Sequence, residues 1–323
     1  MKGARTVRSI AVVAAMAAAA AMAAPAAAGR APSTARAPVP GTSCTVFPSN
    51  NVWNTDISTL PVDARSATWL ATMQAATTDL HPDFGPSPYG LPFAAVDDSH
   101  QTESIQFTYA DESDPGPYPF GPDIPLERGS DRHALMVNAV HCVLYELYAA
   151  YWNNGSPHAG SGAIFDLTSN ALRPDAWTSA DAAGLPILPG LVRYDEVQAG
   201  AILHAIRFTT ALTDCHHLWP ARHDAGTCNS TYPPMGARFR LKATYGLSGF
   251  SRGAKVILRA MKRYGLILAD NGSNWFFQGT MDSRWTDRLL NQLKQVPASA
   301  FEAVDQSCLM VDPNSAQADP TRC

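Results

Sequence analysis

The residues of this chain best suited to chemistry are grouped carboxylates, three imidazoles and a set of aromatic rings. The segment 184–196 (GLPILPGLVRYDE), stiffened by Pro and Gly, delivers Arg193, Tyr194, Asp195 and Glu196 together. Asp166 lies inside an apolar run, and Asp270 ends another just before Asn271-Gly272. Cleaving a glycosidic bond takes two carboxyl groups flanking it, one protonated and one ionised. Asp166, Asp195, Glu196 and Asp270 are the candidates for that pair. Turn capping and an ion pair with Arg193 are their competing roles.

His204 and His223 are the acid–base candidates among the imidazoles. Asp131 and His133 lie two apart, which on a strand puts them on one face. His204 would share a face with Ile206 and Phe208, and His223 with Trp219 and Ala221, leaving Arg222 opposed. A sheet that gathers His133, His204 and His223 over one hollow can bind a metal, move protons or shape a sugar subsite. The expectation is no cofactor, with a metal on those three imidazoles as the alternative. Trp53, Trp177, Trp219 and Trp275 sit beside turn-forming residues, where rings can stack on sugar faces or simply pack. Asp131, His133, Arg193, Tyr194, Trp219, Arg222 and Trp275 are the expected substrate-binding set.

Arg238, Arg240 and Lys242 alternate with Phe239, Leu241 and Ala243, so a strand there has one cationic and one apolar face. That face is either solvated or a groove for an acidic glycan. In a lyase, His204, His223 or Tyr194 would act as base and Arg222 would neutralise a uronate. The chain has no Gly-x-Ser-x-Gly elbow, P-loop, His-Glu-x-x-His or dinucleotide fingerprint, which disfavours the chemistries they serve.

The elements that would position these groups read mainly as strands: 104–110, 132–138, 141–151, 162–168, 201–209, 236–245, 265–270 and 274–278. The last two are joined through Asn271-Gly272, a strong hairpin signal. Helices are expected over 66–76, 252–264 and 284–294, with Ser251 and Ser283 as N-caps, and a short helical turn is expected between Ser179 and Gly184. The fold class is therefore mainly β, an antiparallel β-sandwich or barrel-like domain with about three packed helices.

Of 323 residues, 46% are hydrophobic and 16% charged, and the net charge is −4. That supports a large core and disfavours a nucleic-acid partner. Lys2, Arg5 and Arg8 precede an Ala-rich apolar run ending in small residues, the anatomy of a secretory signal over 1–28. A Pro/Ala-rich linker is expected over 29–43, one β-rich domain over 44–306 and a tail over 307–323. No stable membrane span is expected once the signal is cleaved, and the protein is placed outside the cell.

Six cysteines follow the signal, an even count that reads as three disulfides in an exported chain. Proximity suggests Cys215–Cys228 and Cys308–Cys323, leaving Cys44–Cys142. The run Cys215-His216-His217…His223…Cys228 fits no standard zinc spacing, so the disulfide is preferred.

The strings FPSNNVWNTDIS (47–58), GAIFDLTSNALRP (162–174), GLPILPGLVRYDEVQAGAILHAIRF (184–208), WPARH (219–223) and LILADNGSNWF (266–276) resemble a family of exported bacterial proteins with no established activity. The resemblance spans nearly all of 44–306 and implies only a single exported domain. The expected function is a secreted carbohydrate-active enzyme, most simply a glycoside hydrolase cutting an extracellular polysaccharide. A polysaccharide lyase on an acidic glycan, or a non-catalytic protein binding carbohydrate or cell-envelope glycan, are the alternatives.

Overall fold

The computed structural model describes residues 1, 3 and 35–323; the expected signal and the first part of the linker lie outside the described residues. Residues 35–323 fall within one compact unit. Among the described residues strands outnumber helices, and thirteen strands form three sheets. The largest runs in the order β1 (His81–Asp83), β12 (Phe276–Gln278), β9 (Ile206–Thr210), β11 (Leu266–Asn271), β10 (Arg238–Leu241), β13 (Phe301–Val304). The second is β2 (Ala94–Val96), β4 (Ala134–Asn138), β5 (Val143–Tyr148), β8 (Ser161–Asp166), and the third is β3 (Gln106–Phe107), β7 (Ser156–Ala159), β6 (Tyr151–Asn153). None closes into a barrel. The sheets are mixed, because β1–β12, β9–β11, β2–β4 and β3–β7 pair in parallel.

Four α-helices are present among the described residues: α1 (Ser66–Thr72), α2 (Tyr194–Ala199), α3 (Arg252–Arg263) and α4 (Asp287–Leu293). Helix α3 starts where Ser251 accepts a hydrogen bond from Ala254 N and ends at Gly265, whose φ is +73°. Its buried stripe of Val256, Ile257, Leu258 and Met261 covers the large sheet. The core on that side is aromatic. Phe208, Phe239 and Trp275 pack with ring centroids 5.4–5.7 Å apart, and Phe301 lies 5.4 Å from Trp275. Trp275 is fully buried, so it is a core ring instead of the expected sugar platform.

The hairpin expected at Asn271-Gly272 is absent. Strand β9 lies between β11 and β12, and residues 271–275 arch over its end. Gly272 N donates to Thr210 O and Trp275 N to Thr209 O. A Cβ at residue 272 would come within 2.9 Å of Thr209 Oγ1, so glycine permits this close approach. The two-residue Asn-Gly hairpin is instead at Asn154-Gly155, both with positive φ, joining β6 to β7.

Other differences concern the chain around the candidates. Residues 194–199 are helical, so Asp195 and Glu196 are not opposed on an extended backbone. Strand β9 begins after His204, and 219–223 is a loop, so neither alternation pattern applies. The 179–184 segment is a turn and not a helix, and α4 is capped by Thr286 instead of Ser283.

The disulfides pair as expected, Cys215–Cys228 and Cys308–Cys323 by proximity and Cys44–Cys142 as the remaining pair. The last part of the expected linker joins the fold, since Val39 is fully buried and its N–H donates to Cys44 O. The tail is held by more than its disulfide: Val52 N donates to Ala316 O and Ala318 N to Asn50 O, with Leu309, Ala316 and Ala318 buried. Among the described residues no helix is long and apolar enough to cross a membrane.

Candidate active site

A cleft of about 450 Å³ opens where the end of β11 meets the 178–182 loop, and its walls include Tyr109, Glu112, Asp131, Tyr148, Asp181, His223 and Asp270. The volume falls in the range of roughly 300–1,000 Å³ usual for small-ligand sites. A second hollow of about 220 Å³ shares Asp131, Asp270 and Asn271 with it and adds Asp83, Glu127, His133, Arg207 and Phe276. Asp270 therefore stands at the junction of the two.

A register shift in the β11–β9 ladder places Asp270. Leu268 pairs with Phe208 and Asp270 with Thr209, leaving Ala269 as the extra residue. A bulge of this kind re-aims the side chain that follows. Ala183 N donates to Ala269 O, hooking the 178–184 loop to the bulge and bringing Asp181 beside Asp270. Ser179 Oγ braces the loop by donating to carbonyls within it.

Arg207, on β9, lies under both acids. Its Nε donates to Asp181 Oδ2 at 2.9 Å and its terminal nitrogen to Asp181 Oδ1 at 2.5 Å, while Asp270 Oδ2 is 3.7 Å away. Asp181 and Arg207 are buried, whereas the Asp270 side chain keeps 22% of its surface. Burial, reinforced by the Asp181 charge, outweighs Arg207 and pushes Asp270 up to about 8. Asp270 thus holds a proton at neutral pH and reaches the cleft with it.

The surrounding groups fix this arrangement. His133 Nδ1 donates to Glu127 at 2.6 Å, and Nε2 donates to Ala180 O at 3.0 Å. With acceptors at both nitrogens the ring is an imidazolium: burial opposes the charge, but Glu127 raises the pKa. Burial would raise Glu127 too, yet His133 holds it below the ordinary carboxylate range. Beneath the loop, the fully buried Glu146 accepts from Ile187 N and Leu188 N, and burial pushes it up to about 7. Across the first cleft, Glu112 accepts from Thr178 N at 3.1 Å and lies 3.4 Å from His223 Nε2, whose Nδ1 donates to Ala182 O. The Tyr148 ring lies so close to Gly160 that a Cβ there would sit 2.6 Å from it.

Of the residues singled out from sequence, Asp270, Asp131, His133 and His223 come together here. The others lie elsewhere. Arg193, Glu196 and His204 form a separate buried cluster: Glu196 bridges Arg193 at 3.0 Å and His204 at 3.1 Å, and Arg193 donates to Ala37 O. Their charges overcome burial and hold Glu196 below its ordinary range, while burial raises Asp195 against the pull of Arg193. Tyr194 packs edge-on to Trp285 with Arg284 over its ring. Asp166 is exposed and accepts from Thr168 in a turn. Arg222 is spent on Arg173 O, Pro313 O and Asn314, and Trp219 donates to Ser315 O.

His133, His204 and His223 do not share a coordination sphere, because His204 is committed to Glu196 and Ala205 O. Among the described residues one trio of possible ligand atoms, Asp214, Cys215 and His216, does converge. Its sulfur is in a disulfide, which leaves no thiolate. The cationic stripe is not an open face either. Arg238 is buried and donates to Tyr264 O and Val52 O, Arg240 binds Glu302, and Lys242 binds Ser299 O.

Asp181, Glu112, Arg207, Glu127 and Glu146 are the members that sequence reasoning missed. Glu146 and Arg207 carried a usable signal, each being a charge inside an apolar strand. Comparison with family models, with curated proteins and with solved structures returns no match.

Proposed function

We propose that this cleft hydrolyses glycosidic bonds of a polysaccharide outside the cell, with Asp270 as the proton donor. The observation behind this reading is that Asp270, whose protonated form is favoured by burial and by Asp181, shares the wall of a 450 Å³ cleft with Glu112. Asp270 gives its proton to the leaving oxygen as the C–O bond breaks. Water adds to the anomeric carbon and passes a proton to Glu112. His223 and the Thr178 N–H orient Glu112. Tyr109 and Tyr148 offer rings for sugar faces, and three disulfides fit an oxidising compartment.

Hydrolysis is favoured over uronate elimination because the arginine at the site, Arg207, is already paired with Asp181, and the walls are rich in carboxylates. A uronate would meet no free cation there, so the substrate is neutral or amine-bearing. The test is to incubate the protein with cellulose oligomers, starch, xylan, chitosan and polygalacturonate and to measure new reducing ends and unsaturated-uronate absorbance. Reducing ends from a neutral or amine-bearing glycan support the reading. Product from none of them, or unsaturated uronate alone, contradicts it.

A further inference from the structure

A third hollow adjoins the second. It has a volume of about 440 Å³ and is lined by His81, Asp83, Tyr89, Asp287, Leu290 and Lys294. Asp83 belongs to both the second and third hollows. His81 and Phe276 also link them. They are register partners across β1 and β12, their rings stack at 3.9 Å and 11°, and each lines one of the two hollows. Burial and the charge of Lys294 lower the His81 pKa, so the stacked imidazole is neutral and gives the pair an uncharged surface. Tyr89, in the third hollow, is 66% exposed, and Tyr109, in the first, is 51% exposed.

Core packing does not account for these two exposed tyrosines in the first and third of three adjoining hollows. Rings that stay wet on one face suit sugars, whose C–H faces are apolar and whose edges are polar. We propose that the three hollows form one groove binding an extended, neutral or amine-bearing glycan across Asp270, so that cleavage falls within chains and not at their ends. This inference rests on the hydrolase reading for the word cleavage, but the groove itself is testable by binding alone. The carboxylates along it, Asp83, Asp131 and Asp287, outnumber the single lysine, Lys294, and disfavour a polyanion as occupant.

The experiment uses the full chain bearing Asp270→Asn, so that no turnover disturbs the titration. The probes are dimers and hexamers of β-1,4-linked glucose, of β-1,4-linked glucosamine and of galacturonate, measured by calorimetry. A neutral or amine-bearing hexamer should bind about tenfold tighter than its dimer, the scale of one or two ring contacts. Tyr89→Ala should erase that length advantage and Tyr89→Phe should keep it. Galacturonate should not bind. Equal dimer and hexamer affinity, tightest binding of galacturonate, an unaffected length advantage in Tyr89→Ala, or no binding of any probe would overturn the groove. Reducing ends from the wild type alongside equal affinities would leave the hydrolase reading standing without it. Length-dependent binding without reducing ends would leave the groove standing without the chemistry.

Discussion

Asp181 presses its negative charge on Asp270 while both of its own carboxylate oxygens are held by Arg207. The charge of Asp181 is therefore fixed by a partner that cannot lose its proton, and the cost of two adjacent carboxylates falls on Asp270. The division of roles follows from exposure. Asp181 and Arg207 are closed off from solvent, and Asp270 retains an open side toward the cleft.

Removing the Asp181 charge should release Asp270. In Asp181→Asn the raising influence of Asp181 is gone and Arg207 acts on Asp270 alone, so the Asp270 pKa falls. The alkaline limb of activity should shift to lower pH and the rate at neutral pH should drop. Arg207 also loses its paired partner in a buried position, so urea unfolding should show a loss of about 3–5 kcal/mol. An unchanged pH profile would show that Asp181 does not set the protonation of Asp270.

The raised carboxyls give stability a defined slope with pH. Asp270 and Glu146 bind protons in the folded state at pH values where the unfolded chain has lost them. Folding stability therefore falls as pH rises from about 4 toward 8 for Asp270 and toward 7 for Glu146, and levels off above. Asp270→Asn and Glu146→Gln should each flatten part of this decline. Thermal melts of the three proteins at half-unit steps of pH would read the difference. Parallel curves for all three would contradict the assignment.

Glu196 should matter for folding and not for chemistry. It neutralises buried Arg193 and hydrogen-bonds to His204 away from the cleft, so Glu196→Gln should cost about 3–5 kcal/mol of stability. Measured at a temperature where the variant is folded, kcat should match the wild type. A large kcat loss in the folded variant would return Glu196 to the list of catalytic candidates.

Much of the scaffold was legible because it depends on short-range signals. Most of the longer strands, α3 with its Ser251 cap and Gly265 stop, and the cystines followed from pattern and proximity. At the site, Asp270 stood out as an acid closing an apolar strand, and Asp131 and His133 as a spaced pair. Asp181 gave no such sign, because its importance comes from a loop hooked onto Ala269 by one backbone hydrogen bond. Arg207 shows in the sequence only as a charge inside an apolar strand, because its partner, Asp181, is distant in sequence. The RYDE segment misled for a related reason. Its grouped charges looked like a site, but they fold into a helix whose ion pairs face inward. Asn271-Gly272 had hairpin chemistry, and the insertion of β9 between the flanking strands overrode it.

The most direct measurement is the rate of reducing-end release from the cleaved neutral or amine-bearing glycan across pH, for the wild type and Asp270→Asn. The wild type should lose activity with an alkaline midpoint near the Asp270 value of about 8. The variant should remain folded, lose about 100-fold or more in kcat and lack that limb. A folded Asp270→Asn that works as fast as the wild type, or a wild type that releases reducing ends from no glycan, would contradict the assignment of Asp270 as the proton donor.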